Sequence, residues 1–174
     1  MNIRWKLFTT ISTALVINLA VGFYASISFK QATNNASQIA EQTFQIVTES
    51  LATQVHFKKQ VQEWKNILIR GHQPLLYQKY LDQFQQEEQK TQHSIVTLLS
   101  KLEPNTPAWQ AASDFKMAHL NLGQQYRQAL DSIKEISSDT TIEVDRQVRG
   151  IDRQPTELID QVVASAVMYK QEKL

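Results

Sequence analysis

The chain has no cysteine among its 174 residues. Disulfide bonds, zinc–thiolate sites, iron–sulfur clusters and covalently attached c-type haem all require cysteine, so the sequence excludes each of them. The absence does not locate the protein, because a chain without cysteine is tolerated in any compartment.

Glycine and proline are also scarce, with four of each in the chain. These residues mark most turns, so their rarity favours long uninterrupted helices over many short strands. Glutamine is abundant instead, and it suits the exposed faces of helices. The composition therefore predicts an all-α protein.

An excess of charge of one sign is missing too. Lys+Arg number 18 and Asp+Glu number 17, which leaves a formal net charge of +1. Nucleic-acid-binding domains carry a concentrated basic surface, and this sequence shows neither that pattern nor an acidic tail. We expect no nucleic-acid partner.

The N-terminus carries one long uncharged run, from Leu7 to Phe29. About 20 apolar residues suffice to cross the hydrocarbon core of a bilayer, so this run predicts a transmembrane anchor. A cleaved signal peptide is the alternative, and residues 20–22 form a passable cleavage site. The apolar region of a signal peptide is shorter, ~7–15 residues, so the length favours an uncleaved anchor.

Cations flank this run unequally, with Arg4 and Lys6 before it and Lys30 after it. The positive-inside rule then places the N-terminus in the cytoplasm. The predicted organisation is a cytoplasmic tip and anchor at residues 1–29, followed by a periplasmic domain at residues 30–174. The expected location is the inner membrane, crossed once.

Beyond the anchor, the apolar residues recur mainly at three- and four-residue steps, which predicts four helices. Their expected bounds are a first helix continuous with the anchor to about Arg70 and ended by Gly71 and Pro74, then about 75–102, about 108–136, and about 141 to the end. The predicted core positions are Phe44, Val47, Leu51, Val55, Val61, Trp64 and Leu68; Leu81, Phe84, Glu88, Thr91, Ile95, Leu98 and Leu102; Trp109, Ala112, Phe115, His119, Leu122, Tyr126, Ala129, Ile133 and Ile136; and Val144, Val148, Ile151, Pro155, Leu158, Val162 and Tyr169.

Short connections should make neighbouring helices antiparallel, and stripes with these steps favour the shallow crossings of a four-helix bundle. The expected fold is an N-terminal transmembrane helix followed by an antiparallel up-down four-helix bundle. If the turns centre near residues 74, 105 and 139, then Trp64, Phe84, Tyr126 and Asp152 lie at about one height. Polar residues on the core stripes follow one to two turns nearer the membrane.

Two long segments carry a family resemblance. Residues 55–71, with Trp64 near their centre and Gly71 at their end, resemble a helix-1 signature of the periplasmic sensor domains of methyl-accepting chemotaxis proteins. Residues 148–158, Val-Arg-Gly-Ile-Asp-Arg-Gln-Pro-Thr-Glu-Leu, resemble the helix-4 signature of the same receptors. His119 and Tyr126-Arg127 resemble the intervening helix-3 portion. The two long motifs are specific when both occur in this order.

The resemblance implies extracytoplasmic ligand sensing and transmembrane signal transduction by a homodimeric protein. We expect no enzymatic activity and no cofactor, because the sequence lacks the motifs that either would require. This chain departs from the family after residue 163, with no second span, methylation helix or kinase-coupling tip within it. It is then a truncated receptor or a stand-alone sensor. An alternative is a membrane-tethered helical adaptor that binds a partner receptor and no small molecule.

The candidate ligand site combines the height matching with the family-like motifs. Buried charge is costly unless it is paired, so polar groups on core stripes are binding candidates, although they equally suit a structural ion pair such as Lys58–Glu88. Arginine suits bidentate capture of carboxylates, which favours an organic acid or another anion as the ligand. The candidate ligand-binding residues are Lys58, Trp64, Lys65, Tyr126, Arg127 and Arg153.

Gly150 and Pro155 interrupt the fourth helix. Proline lacks the N–H that the carbonyl of Ile151 would need, so a kink or a helix restart is expected near Asp152. This break either shapes a pocket or only bends the helix around the bundle.

The four histidines show neither an i, i+4 pair nor a Glu-x-x-His on a core stripe, so we expect no metal site. No phosphate loop or nucleophile elbow occurs, and no catalytic residue is predicted.

Overall fold

The structure, a computed structural model, describes residues 2–132 and 137–173. Within these ranges the chain forms five α-helices and no strand, so the all-α prediction is confirmed. The helices are α1 (Ile3–Arg70), α2 (Pro74–Lys101), α3 (Pro107–Asp131), α4 (Ser138–Val148) and α5 (Arg153–Lys173). The predicted core positions Ile133 and Ile136 lie outside the described residues.

The chain divides after Glu41 into two compact units. In the N-terminal unit, α1 exposes large apolar side chains such as Leu15 and Phe23. By length and composition α1 could cross a membrane, and the apolar window that qualifies it is entirely unburied. A signal sequence has the same properties, and the proposed boundary at residues 29 and 30 stays a prediction.

The second unit, Gln42–Lys173, is a helical bundle whose neighbouring helices α1 and α2 run antiparallel. The direction follows from side-chain pairs whose numbers rise along α1 and fall along α2. Lys101 Nζ donates to Gln45 Oε1 at 2.9 Å, His56 Nδ1 lies 2.7 Å from Glu87 Oε2, and Arg70 Nη1 donates to the Tyr80 hydroxyl at 2.9 Å.

Aromatic contacts and one hydrogen bond show how α1 runs relative to the later helices. Phe57 lies against Phe115 and Trp64 lies against Tyr126, so α3 runs in the direction of α1. The hydroxyl of Thr141 donates to the carbonyl of Leu68, near the end of α1, so the chain returns from there along α4 and α5. The arrangement matches the predicted up-and-down order of four rods, with the last rod made of two helices.

Local chemistry explains where these helices begin. Pro74 and Pro107 lie in the first turns of α2 and α3, where a missing N–H costs no intrahelical bond. The side chain of Thr106 caps α3 by accepting from Trp109 N at 3.2 Å. Ser137 and Thr140 form a capping box at the start of α4, close to the turn predicted near residue 139.

The predicted core stripes of α2 and α3 are buried or half-buried at every described position. The stripe predicted for α1 is wrong in part, because Phe44, Leu51 and Val55 are 59%, 44% and 48% exposed. The bundle instead buries an adjacent face of α1. Its buried members are Thr43, Ile46, Ser50, Thr53, Phe57, Gln60, Val61, Trp64, Ile67 and Leu68.

The error has a physical cause. The Ser50 hydroxyl donates to the carbonyl of Val47 at 2.7 Å, and the Thr53 hydroxyl donates to that of Glu49 at 2.8 Å. Because these hydroxyls find acceptors on their own helix, they can be buried without an unmet donor. A count of apolar residues therefore selects the wrong face of this helix.

Candidate functional site

The last rod of the bundle is broken between Val148 and Arg153. Gly150 has a φ of +80°, in the left-handed region where a side chain would be strained. The backbone turns through bonds from Ile151 N to Val148 O and from Arg153 N to Gly150 O, each 3.2 Å. The expected helix restart near Asp152 is confirmed, and the expectation of one continuous helix from about residue 141 is corrected.

Pro155 disrupts the helix less than expected. Since α5 begins at Arg153, Pro155 lies in the first turn, where its nitrogen has no intrahelical acceptor to lose. The turn is completed by Asp152, whose carbonyl accepts from the hydroxyl of Thr156 at 2.6 Å and from its backbone N–H at 3.0 Å. The break is therefore a built turn and not only a bend.

A groove lies where this break meets α1, and we call it the break groove. It consists of two cavities of about 390 Å³ and 220 Å³ that share Lys65 and Asp152. Its lining residues are Phe57, Lys58, Val61, Gln62, Trp64, Lys65, Leu68, Tyr126, Asp145, Val148, Arg149, Gly150, Asp152, Arg153 and Thr156.

Five of the six predicted ligand-binding residues line this groove: Lys58, Trp64, Lys65, Tyr126 and Arg153. Sequence reasoning missed Asp145, Gln62 and Thr156 as lining residues. The predicted helix break could have indicated Thr156, because this residue lies one turn after Asp152. No sequence signal marked Gln62 or Asp145.

One wall of the groove is aromatic. The rings of Trp64 and Tyr126 stack with centroids 4.1 Å apart, and Phe84 packs against both at 6.0 and 5.8 Å. The predicted common height of these three residues is confirmed. Burial, together with the charge of Asp152, raises the pKa of the Tyr126 hydroxyl, so this group stays protonated at neutral pH.

Two cations at the groove have carboxylate partners. Lys58 Nζ lies 3.4 Å from Asp160 Oδ1, and Arg149 Nη2 lies 2.8 Å from Asp145 Oδ2. All four side chains are about half exposed or more, so these pairs are weak and water can compete for them. The alternative structural pair Lys58–Glu88 is wrong.

Two other cations, Lys65 and Arg153, form no ion pair in the ranges that the structure describes. Both line the groove beside Asp152, and the side chain of Arg153 passes over Gly150, within van der Waals contact of where a Cβ would lie. The groove thus offers two cations without an ion pair among the described residues, next to the carboxylate of Asp152. This arrangement suits a small anion that also carries a hydrogen-bond donor.

Arg127, the sixth predicted residue, lies outside this groove. Its Nη1 donates to both oxygens of Glu88 at 2.8 and 2.7 Å. The Glu88 side chain is 9% exposed, and a Cβ on Gly123 would collide with its carboxylate. Arg127 therefore joins α3 to α2, and Gly123 makes room for that pair.

The neighbouring carboxylate Glu87 joins α2 to α1 instead. It accepts from Lys90 Nζ at 2.6 Å and lies 2.7 Å from His56 Nδ1. Burial alone would raise its pKa, but the hydrogen bonds from Lys90 and His56 outweigh burial and lower the pKa. Consecutive glutamates thus tie α2 to both of its neighbours.

His119 is buried with Gln60 in the core. Its Nε2 lies 2.6 Å from Gln60 Oε1, and neither side chain is exposed. Burial, with a smaller contribution from the charge of Arg127, lowers the pKa of His119 from 6.5 to about 4. This histidine is neutral at physiological pH.

Among the described residues, no group of three or more His, Asp or Glu side chains is placed to hold a metal ion. The histidines that contact a partner do so singly, His56 with Glu87 and His119 with Gln60. The geometry therefore adds no metal candidate to those considered from the sequence.

Comparison with known proteins identifies one relative. The chain is 36% identical over 102 residues to the methyl-accepting chemotaxis protein CtpH of Pseudomonas aeruginosa. The match covers 59% of this chain but only 17% of that protein. No family model and no solved structure matches the chain.

Proposed function

We propose that Gln42–Lys173 is an extracytoplasmic ligand-sensing domain of the chemoreceptor type, carried on a membrane by the N-terminal part of α1. The observation that carries this proposal is the break groove, where the two family-like segments meet. There α1 contributes Trp64 and Lys65, and the helix break contributes Asp152 and Arg153. The similarity to a chemotaxis protein supports a role in signalling.

The proposed ligand is a small anion, of the class of organic acids, amino acids or inorganic anions. Lys65 and Arg153 are the cations free to receive it, and a guanidinium can hold a carboxylate through two parallel hydrogen bonds. Asp152 favours ligands that also offer a donor. The stacked Trp64–Tyr126 wall excludes water from one side, which strengthens the polar contacts.

The proposed mechanism is a shift of the last rod relative to α1. A ligand in the break groove touches both, so it can favour one relative position over another. Such a shift requires different affinities for the two positions. The turn at residues 149–152 separates α4 from α5 and gives the ligand a local element to act on.

We further propose that the protein works as a homodimer through the outer face of α1. Phe44, Leu51 and Val55 recur along that face, exposed and without a partner helix in the described bundle. Because the chain has no cysteine, Leu51→Cys introduces a unique thiol. Oxidation should cross-link two copies symmetrically, whereas Gln89→Cys on α2 should not. Equal cross-linking at both positions would contradict the dimer.

A partner receptor could occupy the same outer face, and this observation keeps the adaptor as a second candidate. The two functions differ in small-molecule binding. In a thermal-shift screen of organic acids, amino acids and inorganic anions on the full chain in detergent, a sensor gains ~2.7 kcal/mol of stability at a hundredfold excess of ligand over its Kd. An adaptor gains nothing from any compound and binds only another helical protein.

The proposed location is the inner membrane, crossed once, with the bundle in the periplasm. A reporter that is active only in the periplasm, fused at the C-terminal end, should be active. Activity of a cytoplasmic reporter at that position would contradict the proposed topology.

A further inference from the structure

The buried pair of Gln60 and His119 leaves two polar atoms without partners. Gln60 Nε2 and His119 Nδ1 are buried and make no hydrogen bond to any described residue. An unmet buried donor or acceptor is costly, roughly 1–3 kcal/mol each. The core therefore holds one good hydrogen bond and two unmet groups at the same place.

This pair has a second arrangement with the same number of bonds. In the first, Nε2–H of a neutral His119 donates to Gln60 Oε1, and Nδ1 is bare. If the amide of Gln60 is flipped, its NH₂ donates to a bare Nε2, and the ring proton moves to Nδ1. Each arrangement makes one bond and leaves two polar atoms unmet, so hydrogen-bond counting does not favour either.

Phe57 connects this pair to the break groove. Its ring is fully buried, lines the larger cavity of the groove, and meets the His119 ring edge-on with centroids 5.9 Å apart. Phe115 packs against both rings, at 5.5 Å from Phe57 and 5.7 Å from His119. One aromatic side chain, that of Phe57, thus lies between the groove and the pair of Gln60 and His119.

We propose that the Gln60–His119 pair is a two-state element of the core, and that filling the break groove changes the balance between its states through Phe57. Packed cores respond to small displacements by changing between discrete arrangements and not by continuous deformation. A displacement of Phe57 alters the packing against the His119 ring, and the position of the proton on that ring is what distinguishes the two arrangements. This inference rests on the proposed sensing role of the groove.

The test fills the groove without requiring the natural ligand. Gln62 lines the groove and is exposed, and the chain has no other thiol, so Gln62→Cys can be labelled specifically with a methyl or a benzyl methanethiosulfonate. The full chain in detergent, with ¹⁵N-labelled histidine, then reports the tautomer of His119 through its ring nitrogen shifts. The spectra are taken near pH 7.5, where His119 is neutral. His119→Asn identifies its signals.

The benzyl label at position 62 should change the ratio of the two His119 tautomers by roughly fivefold or more, the lower end of ordinary coupling between sites. The methyl label, and the benzyl label at Gln89→Cys on α2, should leave the ratio unchanged. Phe57→Leu should remove the response. An unchanged ratio with the benzyl label at position 62, or a response that survives Phe57→Leu, would overturn the inference.

The same spectra separate this inference from the proposed function. A compound that binds the groove and leaves His119 unchanged would overturn the two-state element while the sensing role stands. A response to the tethered benzyl group, with no binding compound in the screen, would support the two-state element and contradict the ligand-binding role.

Discussion

The bundle core has two regions of different chemistry. One is the aromatic layer of Trp64, Phe84 and Tyr126, all at most 3% exposed and in mutual contact. The other is a polar region, in which Gln60 and His119 are followed along the bundle by small hydroxyl side chains. These are Ser50, Thr53, Thr91 and Ser94, each buried.

The two regions should differ in how much they stabilise the fold and in how easily their side chains rearrange. The aromatic layer buries large side chains without unmet polar groups, so it should contribute most of the packing energy and define the wall of the break groove. The polar region buries groups that must be hydrogen-bonded, and two of its atoms are not. It should contribute less stability and change arrangement more easily.

Trp64→Ala disrupts the aromatic layer and should cause the largest loss of unfolding free energy. Removing a buried tryptophan leaves a cavity against Tyr126 and Phe84, and such truncations cost ~3–5 kcal/mol. Urea unfolding of the full chain in detergent measures the change. Trp109→Ala is the control, since Trp109 is only half-buried, and a loss as large as that of Trp64→Ala would contradict a special role for the layer.

Acidification tests the polar region next. The folded pKa of His119, about 4, lies below the ordinary value of 6.5, so the unfolded chain binds a proton more readily between these values. Stability should be complete above about pH 6.5 and fall as the pH is lowered toward 4, by on the order of 3 kcal/mol. In the double variant Gln60→Leu/His119→Leu, the free energy of unfolding should be nearly independent of pH over this interval. A wild-type free energy independent of pH there would contradict the burial of a neutral histidine.

Gly123→Ala tests the pair between the two regions. Alanine favours helix over glycine by ~1 kcal/mol, yet its Cβ would collide with the Glu88 carboxylate. We expect a net loss of about 1–3 kcal/mol, as for other overpacked sites. Adding Glu88→Ala should recover part of the loss, whereas additive losses in the double variant would show that Glu88 is not the obstacle.

Two arginines should differ in the same assay. Arg127→Ala leaves the buried Glu88 carboxylate unpaired and should cost ~1–3 kcal/mol. Arg149→Ala breaks an ion pair whose side chains are 73% and 47% exposed, so its effect should stay within about 0.5 kcal/mol. Equal losses of unfolding free energy in the two variants would contradict the difference between an ion pair that joins two helices and one on the surface.

The fold was predictable where one pattern dominated. In α2 the strict three-four steps located the core even at Glu88 and Thr91, because the spacing holds regardless of side-chain type. In the first part of the bundle segment of α1, up to Val55, two stripes compete, and the more apolar one, with Phe44 and Leu51, is exposed. A single sequence cannot show which stripe faces the other helices and which faces outward.

The heights of the site residues along the bundle were predictable from the sequence, but their side-chain partners were not. The turn positions brought Trp64, Tyr126 and Asp152 to one level, and the structure places all three at the groove. The role of Arg127 could not be foreseen, because its partnership with Glu88 depends on the rotation of α2 and on the space left by Gly123. Side-chain partners across helices are tertiary information.

If Lys65 and Arg153 receive an anion in the break groove, the affinity of the best compound from the screen must depend on both side chains, and matched variants measure this dependence. Lys65→Ala and Arg153→Ala should each weaken binding by roughly tenfold or more, the equivalent of one charge-assisted hydrogen bond, with little change in Tm. Lys59→Ala, an exposed cation on the same helix but outside the groove, should leave Kd unchanged. A Kd unaffected by Lys65→Ala and Arg153→Ala alike would show that the anion binds elsewhere.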